Sequence, residues 1–486
     1  MKRILLIVAA LLSSLFTLHS AAKVVLPGMF ADGMVIQRET TARLWGMATP
    51  GATVKVSASW TSKRYTAKAG DDGRWLLAID TPEAGGPYTL TFDDGEQTVI
   101  GNILSGELWL CSGQSNMEMQ MKGFKAQPVE GAYDDILNCS DTSLRLFTVK
   151  RNSKITPVDT VNGRWQEARP ATVRDFSATA YYFGRALRKV LDVPVGLIVT
   201  AWGGSACEAW MTADWLSAFP DAKIPQSQDD VWSKNRTPTV LYNGMLHPLA
   251  GIAMRGALWY QGEDNVNRYP TYADMLSSLI RGWRSEWGIG DFPFYYCQIA
   301  PFDYQTLNKD YRNSAFLREQ QSRVELSTPN TAMAVLMDAG LEYGIHPRKK
   351  RQAGERLAFL ALKNTYGVEG MPEFARYKEV TLKGDTAVIS FEKSKEWVYF
   401  DHGTTSDNFE AAAADRVFHP AKAWVSGNKV YVTWSDSMRA AKTGQTDDEP
   451  MAPIVAVRYA FKDWADGDLF CDGLPVSSFR TDDWEE

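Results

Sequence analysis

Between Ile103 and about residue 371, short apolar runs alternate with segments of helical periodicity, and this limits the fold more than any other feature of the chain. LSGELWLCSG is an apolar strand. AYYFGRALRKVL (180–191) repeats its apolar residues at helical spacing, and VPVGLIVTAWGG follows as a buried strand stopped by glycines. AMRGALWYQGE, FPFYYCQIA and TAMAVLMDAG are further strands, while TYADMLSSLIRGWRSEWG and KKRQAGERLAFLALKNTYG are helices. Strands alternating with helices predict an α/β fold with a parallel sheet flanked by helices. Ligands of such sheets sit beyond the carboxyl ends of the strands. The polar clusters of this chain fall at those ends.

The flanks are patterned differently. Residues 23–102 are short alternating runs broken by turns such as Asp-Asp-Gly at 71–73, and predict a small antiparallel β-domain. From residue 372, EVTLKGDTAVISF, AKAWVSGNKVYVTWS and IVAVRYAF return to β-patterning and predict a sandwich-like region over 372–486. The first 22 residues carry two basic residues, an apolar run, and Ser20 and Ala22 at the minus-three and minus-one positions of a cleavage site. They read as a secretory signal peptide. The apolar run falls short of the roughly 20 residues of a spanning helix. The expectation is an exported protein, periplasmic or extracellular, with no membrane span after cleavage. The α/β unit then occupies 103–371.

Composition removes several classes of function. Net charge is −6 with basic residues scattered, which argues against a nucleic-acid partner. No histidine or cysteine spacing suits a metal, and no cofactor is expected. Five cysteines without paired spacing yield no disulfide framework.

A serine hydrolase needs a hydroxyl, a base and donors for the oxyanion. Ser115, after Gly113-Gln114 at the end of the first strand, is a candidate nucleophile on a sharp turn, although the G-x-S-x-G elbow is absent. Gly203 and Gly204 end the second strand and can bring a backbone N–H to a developing charge. Gln261 and Asn265, in YQGEDN, can each offer a side-chain N–H, with Glu263 or Asp264 orienting neighbours. His346 lies between the last core strand and the last helix. It is the preferred base over His247, which is flanked by apolar residues, and over His402 and His419 in the C-terminal β region.

SGQSNMEM, SATAYYFGRALRKVLDVPVGLI, WGGSACEAW, LYNGMLHPL, RGALWYQGEDN, LREQQ and GIHPRKKRQAGERLA resemble, in order, the motifs of the sialate O-acetylesterase family. These are carbohydrate esterases of the SGNH-hydrolase superfamily. LPGMFADGMVIQRETTARLWGMATPG near the start, and AVRYAF with GLPVSSFRTDDW near the end, extend the resemblance over nearly all of the chain after residue 22. It implies an SGNH-hydrolase-like sheet and a serine esterase that removes O-acetyl groups from sugars, with O-acetylated sialic acid as substrate. Ser115 takes the place of the nucleophile and His346 that of the base. Gly203, Gly204 and the Gln261–Asn265 turn take that of the oxyanion and substrate groups, joined by the Ser115 N–H. One position departs from the pattern. Many SGNH hydrolases carry Asp three residues before the histidine, and here that residue is Tyr343. Asp338 or Glu342 can supply the third member if the loop folds back, or a backbone carbonyl such as that of Gly344 can leave a Ser–His dyad. Arg348, Lys349, Lys350 and Arg351 beside the base can attract an acidic sugar or simply form a solvated helix start. Two alternatives stand beside this reading: an acetyl esterase acting on a plant polysaccharide such as acetylxylan, and a non-catalytic carbohydrate-binding protein.

Overall fold

The computed structural model describes residues 23–304, 312–394, 397–438 and 451–484. The signal-peptide expectation for residues 1–22 lies outside them. The core comprises β1 (Gln97–Gly113), α1 (Ser115–Glu118), β2 (Asp141–Thr148), β3 (Trp165–Ala168), α2 (Ala178–Leu191), β4 (Val195–Ala201), β5 (Gly256–Tyr260), α3 (Tyr272–Trp287), β6 (Phe294–Cys297), α4 (Asn313–Ser327), β7 (Thr331–Ala334) and α5 (Lys350–Asn364). The sheet runs β7-β6-β5-β1-β4-β2-β3, parallel except for the antiparallel edge strand β3. The predicted parallel sheet flanked by helices is therefore present.

β1 is the spine of the molecule. Its first half pairs antiparallel with Gly85–Asp93 of the N-terminal β-region, and Leu104–Gly106 pair with Val35–Gln37. Its second half lies between β4 and β5 and is buried without interruption from Ile103 onward. The boundary expected at 102/103 thus falls inside a continuous strand, and the N-terminal β-region is joined to the core by backbone hydrogen bonds.

Aromatic residues fill both faces of the sheet. Trp109 on β1 meets Phe183 of α2 edge-on at 5.0 Å, and Trp259 on β5 meets Trp283 of α3 at 5.8 Å. Each fully buried indole contributes on the order of 2–3 kcal/mol of apolar burial. α5 packs on α2 through Gly354, where a Cβ would lie 2.5 Å from the Thr179 carbonyl oxygen, so only glycine allows this approach.

The C-terminal region has a seven-stranded antiparallel sheet and a separate three-stranded one, in keeping with the expected antiparallel β-architecture. It is clamped to α4. Arg318 is fully buried and donates to Ser478 Oγ at 3.0 Å and to the Lys462 carbonyl at 2.5 Å, while Ser314 donates to Asp463 at 2.6 Å. Among the described residues no helix is long and apolar enough to cross a membrane. All five cysteines are buried and free.

Candidate active site

The register of the central strands creates the site. Gly113 at the end of β1 stands opposite both Ala201 at the end of β4 and Tyr260 at the end of β5. Three strands therefore finish level, and the turns that follow them emerge side by side. Gly113 has φ +136°, and a Cβ there would lie 2.2 Å from the Tyr260 carbonyl oxygen. No other residue fits. Gln114 then donates its N–H to the same carbonyl at 2.9 Å, and Ser115 opens α1. Thr179 Oγ holds the Asn116 carbonyl at 2.9 Å, and Ser177 Oγ holds that of Met117 at 2.6 Å. The serine turn is thus fixed from the start of α2.

The second turn lies directly against the first. A Cβ on Gly203 would sit 3.3 Å from Ser115 Cβ. The Gly203 N–H donates to Glu118 Oε2 at 2.7 Å, and Glu118 in turn binds Arg151 through both oxygens at 2.6 Å. Among the described residues the N–H groups of Ser115 and Gly204 have no acceptor.

His346 lies on the loop before α5, with its ring edge-on to Phe124 at 5.1 Å. Its Nδ1 is 2.5 Å from Gln127 Oε1. An amide oxygen can only accept, so Nδ1 carries the proton and Nε2 keeps its lone pair. Burial, aided by the Lys350 charge, pushes the imidazole pKa down to about 4, so the ring is neutral at ordinary pH.

Asn116 connects all of these parts. Its Nδ2 donates to Glu263 Oε1 at 2.5 Å and to the Ile345 carbonyl, next to His346, at 3.1 Å. Its Oδ1 accepts from Lys350 Nζ. Lys350 is 1 % exposed, and its ammonium lies 5.6 Å from the centre of the Tyr260 ring. Burial drives the Lys350 pKa down to about 7 against the attraction of Glu263, and burial raises that of Glu263 despite Asn116 and Lys350. Glu263 Oε2 has no partner among the described residues. One asparagine thus spans the serine turn, the β5 turn and the histidine loop.

Residues 105–362 match the family described as carbohydrate esterase, sialic acid-specific acetylesterase. The sialate O-acetylesterase of Homo sapiens is 30% identical over 379 residues, covering 70% of this chain and 71% of its own. The chain belongs to this family. The rat enzyme of the same name is 29% identical over 407 residues, covering 70% of this chain and 73% of its own. A crystal structure of a carbohydrate acetylesterase from Xanthomonas citri covers 95% of this chain and 100% of its own, with 35% identity and a TM-score of 0.84. The protein is a carbohydrate esterase.

Within this esterase the structure gathers Ser115, Gly203, Gly204 and His346 at one mouth of the sheet. Gln261 and Asn265 are adjacent but face inward. Gln261 Nε2 donates to the Ser205 carbonyl at 3.1 Å and to Asn265 Oδ1 at 2.7 Å, and its Oε1 accepts from Tyr272. Asn265 Nδ2 donates to Glu208 at 2.9 Å. As they stand, these buried amides brace the β5 turn instead of pointing an N–H at an oxyanion. Neither expected third member touches His346. Asp338 is held by Arg356 through two bonds of 2.6 Å, and the Glu342 carboxylate raises the pKa of the neighbouring Tyr343 phenol. Gln127 occupies the place expected for a carboxylate. His247 instead lies beside Tyr242 and Glu286. Asn116 lies within a quoted motif without an assigned role, and Lys350 was read only as one of the basic residues that attract an acidic sugar or form a solvated helix start, because nothing in the sequence shows that one side chain bridges three loops. Among the described residues no group of three or more metal-ligating side chains occurs.

Proposed function

We propose that this carbohydrate acetylesterase removes O-acetyl groups from sialic acids through an acetyl-enzyme on Ser115. The observation that carries the reading is the Asn116 bridge to the Ile345 carbonyl, which joins the His346 loop to the Ser115 turn. Ser115 Oγ attacks the acetyl carbonyl carbon and yields its proton to His346 Nε2. The N–H groups of Ser115 and Gly204 receive the oxyanion. The bond from the carbonyl carbon to the sugar oxygen then breaks, and His346 returns the proton to that oxygen. Water attacks the acetyl-serine with the same base, releasing acetate and restoring Ser115. Gln127 holds the imidazole in the productive tautomer without adding a negative charge.

A second substrate reading, a neutral acetylated polysaccharide such as acetylxylan, has one observation in its favour. Of the four basic residues expected to attract an acidic sugar, Lys350 is buried on Asn116, Lys349 binds the Asp338 carbonyl, and Arg351 binds Asp135. Acetate release from O-acetylated sialic acid and acetylated xylan, by wild type and Ser115→Ala, decides between them. Release from sialic acid alone, lost in the variant, supports the first reading. Preference for xylan keeps the mechanism and replaces the substrate. Export is part of the proposal, and N-terminal sequencing of protein recovered outside the cytoplasm tests cleavage after Ala22.

A further inference from the structure

Beside the serine turn lies a cavity of about 580 Å³ between the segments 206–208, 218–238 and 267–275. Its volume is in the range of small-molecule sites. One of its walls is tied to the turn that packs against Ser115. Arg236 lines the cavity and donates from Nε to the Gly204 carbonyl at 3.2 Å, and Asn235 donates to that of Gly203 at 2.6 Å. Gly203 itself packs against Ser115. The cavity is therefore separated from the Ser115 turn by Arg236 and the Gly203–Gly204 backbone.

Two features define its occupant. Trp232 is 69% exposed on the cavity wall, and its ring has no aromatic or cationic partner among the described residues. Of the charged residues on that wall, Arg236 is paired with Asp264 at 2.7 Å and Arg268 with Glu208 at 3.0 Å, while Asp221 and Lys223 offset one another in sign. These pairs present hydrogen-bonding edges without a strong net charge. An apolar ring face over neutralised polar edges suits a pyranose, whose C–H face can lie on the indole while its hydroxyls meet Arg236, Arg268 and Glu208.

We infer that this cavity is a subsite for a neutral sugar unit linked to the acetylated one, so the enzyme acts on glycan chains in preference to single sugars. The inference rests on the esterase reading above. Two measurements separate its failure from that of the reading. The first compares wild type and Trp232→Ala on O-acetylated sialyllactose and acetylated xylo-oligosaccharide, one for each substrate reading, and on 4-nitrophenyl acetate. The ratio of kcat/KM for whichever oligosaccharide is deacetylated to that for the small ester should fall about tenfold in the variant, mainly through KM. An unchanged ratio overturns the subsite. The second uses Ser115→Ala, with and without Trp232→Ala, in calorimetric titration with sialyllactose and with deacetylated xylo-oligosaccharide. Loss of binding of either on removing the indole supports the subsite even if the acetyl chemistry is misassigned. Equal binding of both with and without the indole overturns it even if Ser115 is the nucleophile.

Discussion

The two ends of the same sheet treat a buried carboxylate in opposite ways. At the amino end, Glu107 on β1 is fully buried and meets Arg38 Nε at 2.6 Å, Arg255 Nε at 2.7 Å and the Tyr366 hydroxyl at 3.0 Å. Burial alone would push its pKa up, but Arg255 and Arg38 outweigh it and hold the carboxyl below the usual range. At the carboxyl end, among the described residues, Glu263 has one side-chain amide donor and an oxygen without a partner, and burial raises its pKa. The nearby Lys350 is depressed in turn. The saturated end ties the N-terminal region, β1, β5 and the segment after α5 together. The unsaturated end surrounds Ser115. Under the proposed mechanism the perturbed groups gather where the chemistry is done, and the satisfied ones where domains are joined.

The sharpest break in this comparison is Ser115→Ala. At the carboxyl end it should lower kcat by about 10⁴-fold or more, with Tm changed by no more than about 2 °C. Steady-state acetate release and a melting curve read both. A variant that loses stability along with activity would make Ser115 a structural residue. Glu107→Ala is the mirror experiment. Removing the carboxylate strands two guanidinium groups, so it should destabilise by about 3–5 kcal/mol in urea unfolding. Activity per folded molecule should persist. A neutral result would mean that solvent reaches the Glu107 cluster.

These expectations also mark what was legible beforehand. Helical periodicity around residues 180–191 and 272–287 was readable because one face of each helix is apolar, and both helices are present. α4 was missed because it is buried on two sides and carries Arg318, Gln320 and Gln321 inward, which erases the apolar stripe. β2 was missed as well; its buried residues include Arg145 among the apolar ones. The polar clusters at strand ends were legible because parallel sheets put ligands there. The inward orientation of Gln261 and Asn265 was not, since it depends on Ser205, Cys207 and Glu208 from another turn. The place of Gln127 was equally hidden, 219 residues away from His346 in the chain.

Lys350→Met probes the unsaturated end directly. Asn116 Oδ1 loses its donor, so activity should fall by about ten- to a hundredfold as the two loops lose register. Stability should move the other way. The folded pKa of Lys350, about 7, lies below its unfolded value near 10.5. Between these values the unfolded chain binds the extra proton, so this lysine's contribution to stability rises with pH. Its burial is therefore most unfavourable below pH 7 and harmless above about pH 10.5. The stability gain of the methionine variant should be largest at low pH and shrink through that window. A gain independent of pH would mean that Lys350 titrates normally.

Gln127→Glu should have the smallest effect, and it tests whether the catalytic end avoids charge for a reason. In the wild type the base is neutral down to a pKa of about 4, so kcat/KM should stay level as pH falls and drop only near that value. A carboxylate at position 127 would stabilise the imidazolium and raise that pKa. The acid limb should then move up by about one unit, while kcat on the plateau changes less than about fivefold. Gln127→Met sharpens the point, because it removes the acceptor that fixes the tautomer and should lower kcat without moving the limb upward. If the limb stays in place in the glutamate variant, the side chain at 127 does not face Nδ1 during turnover. The contrast between the two ends of the sheet would then rest on Glu263 and Lys350 alone.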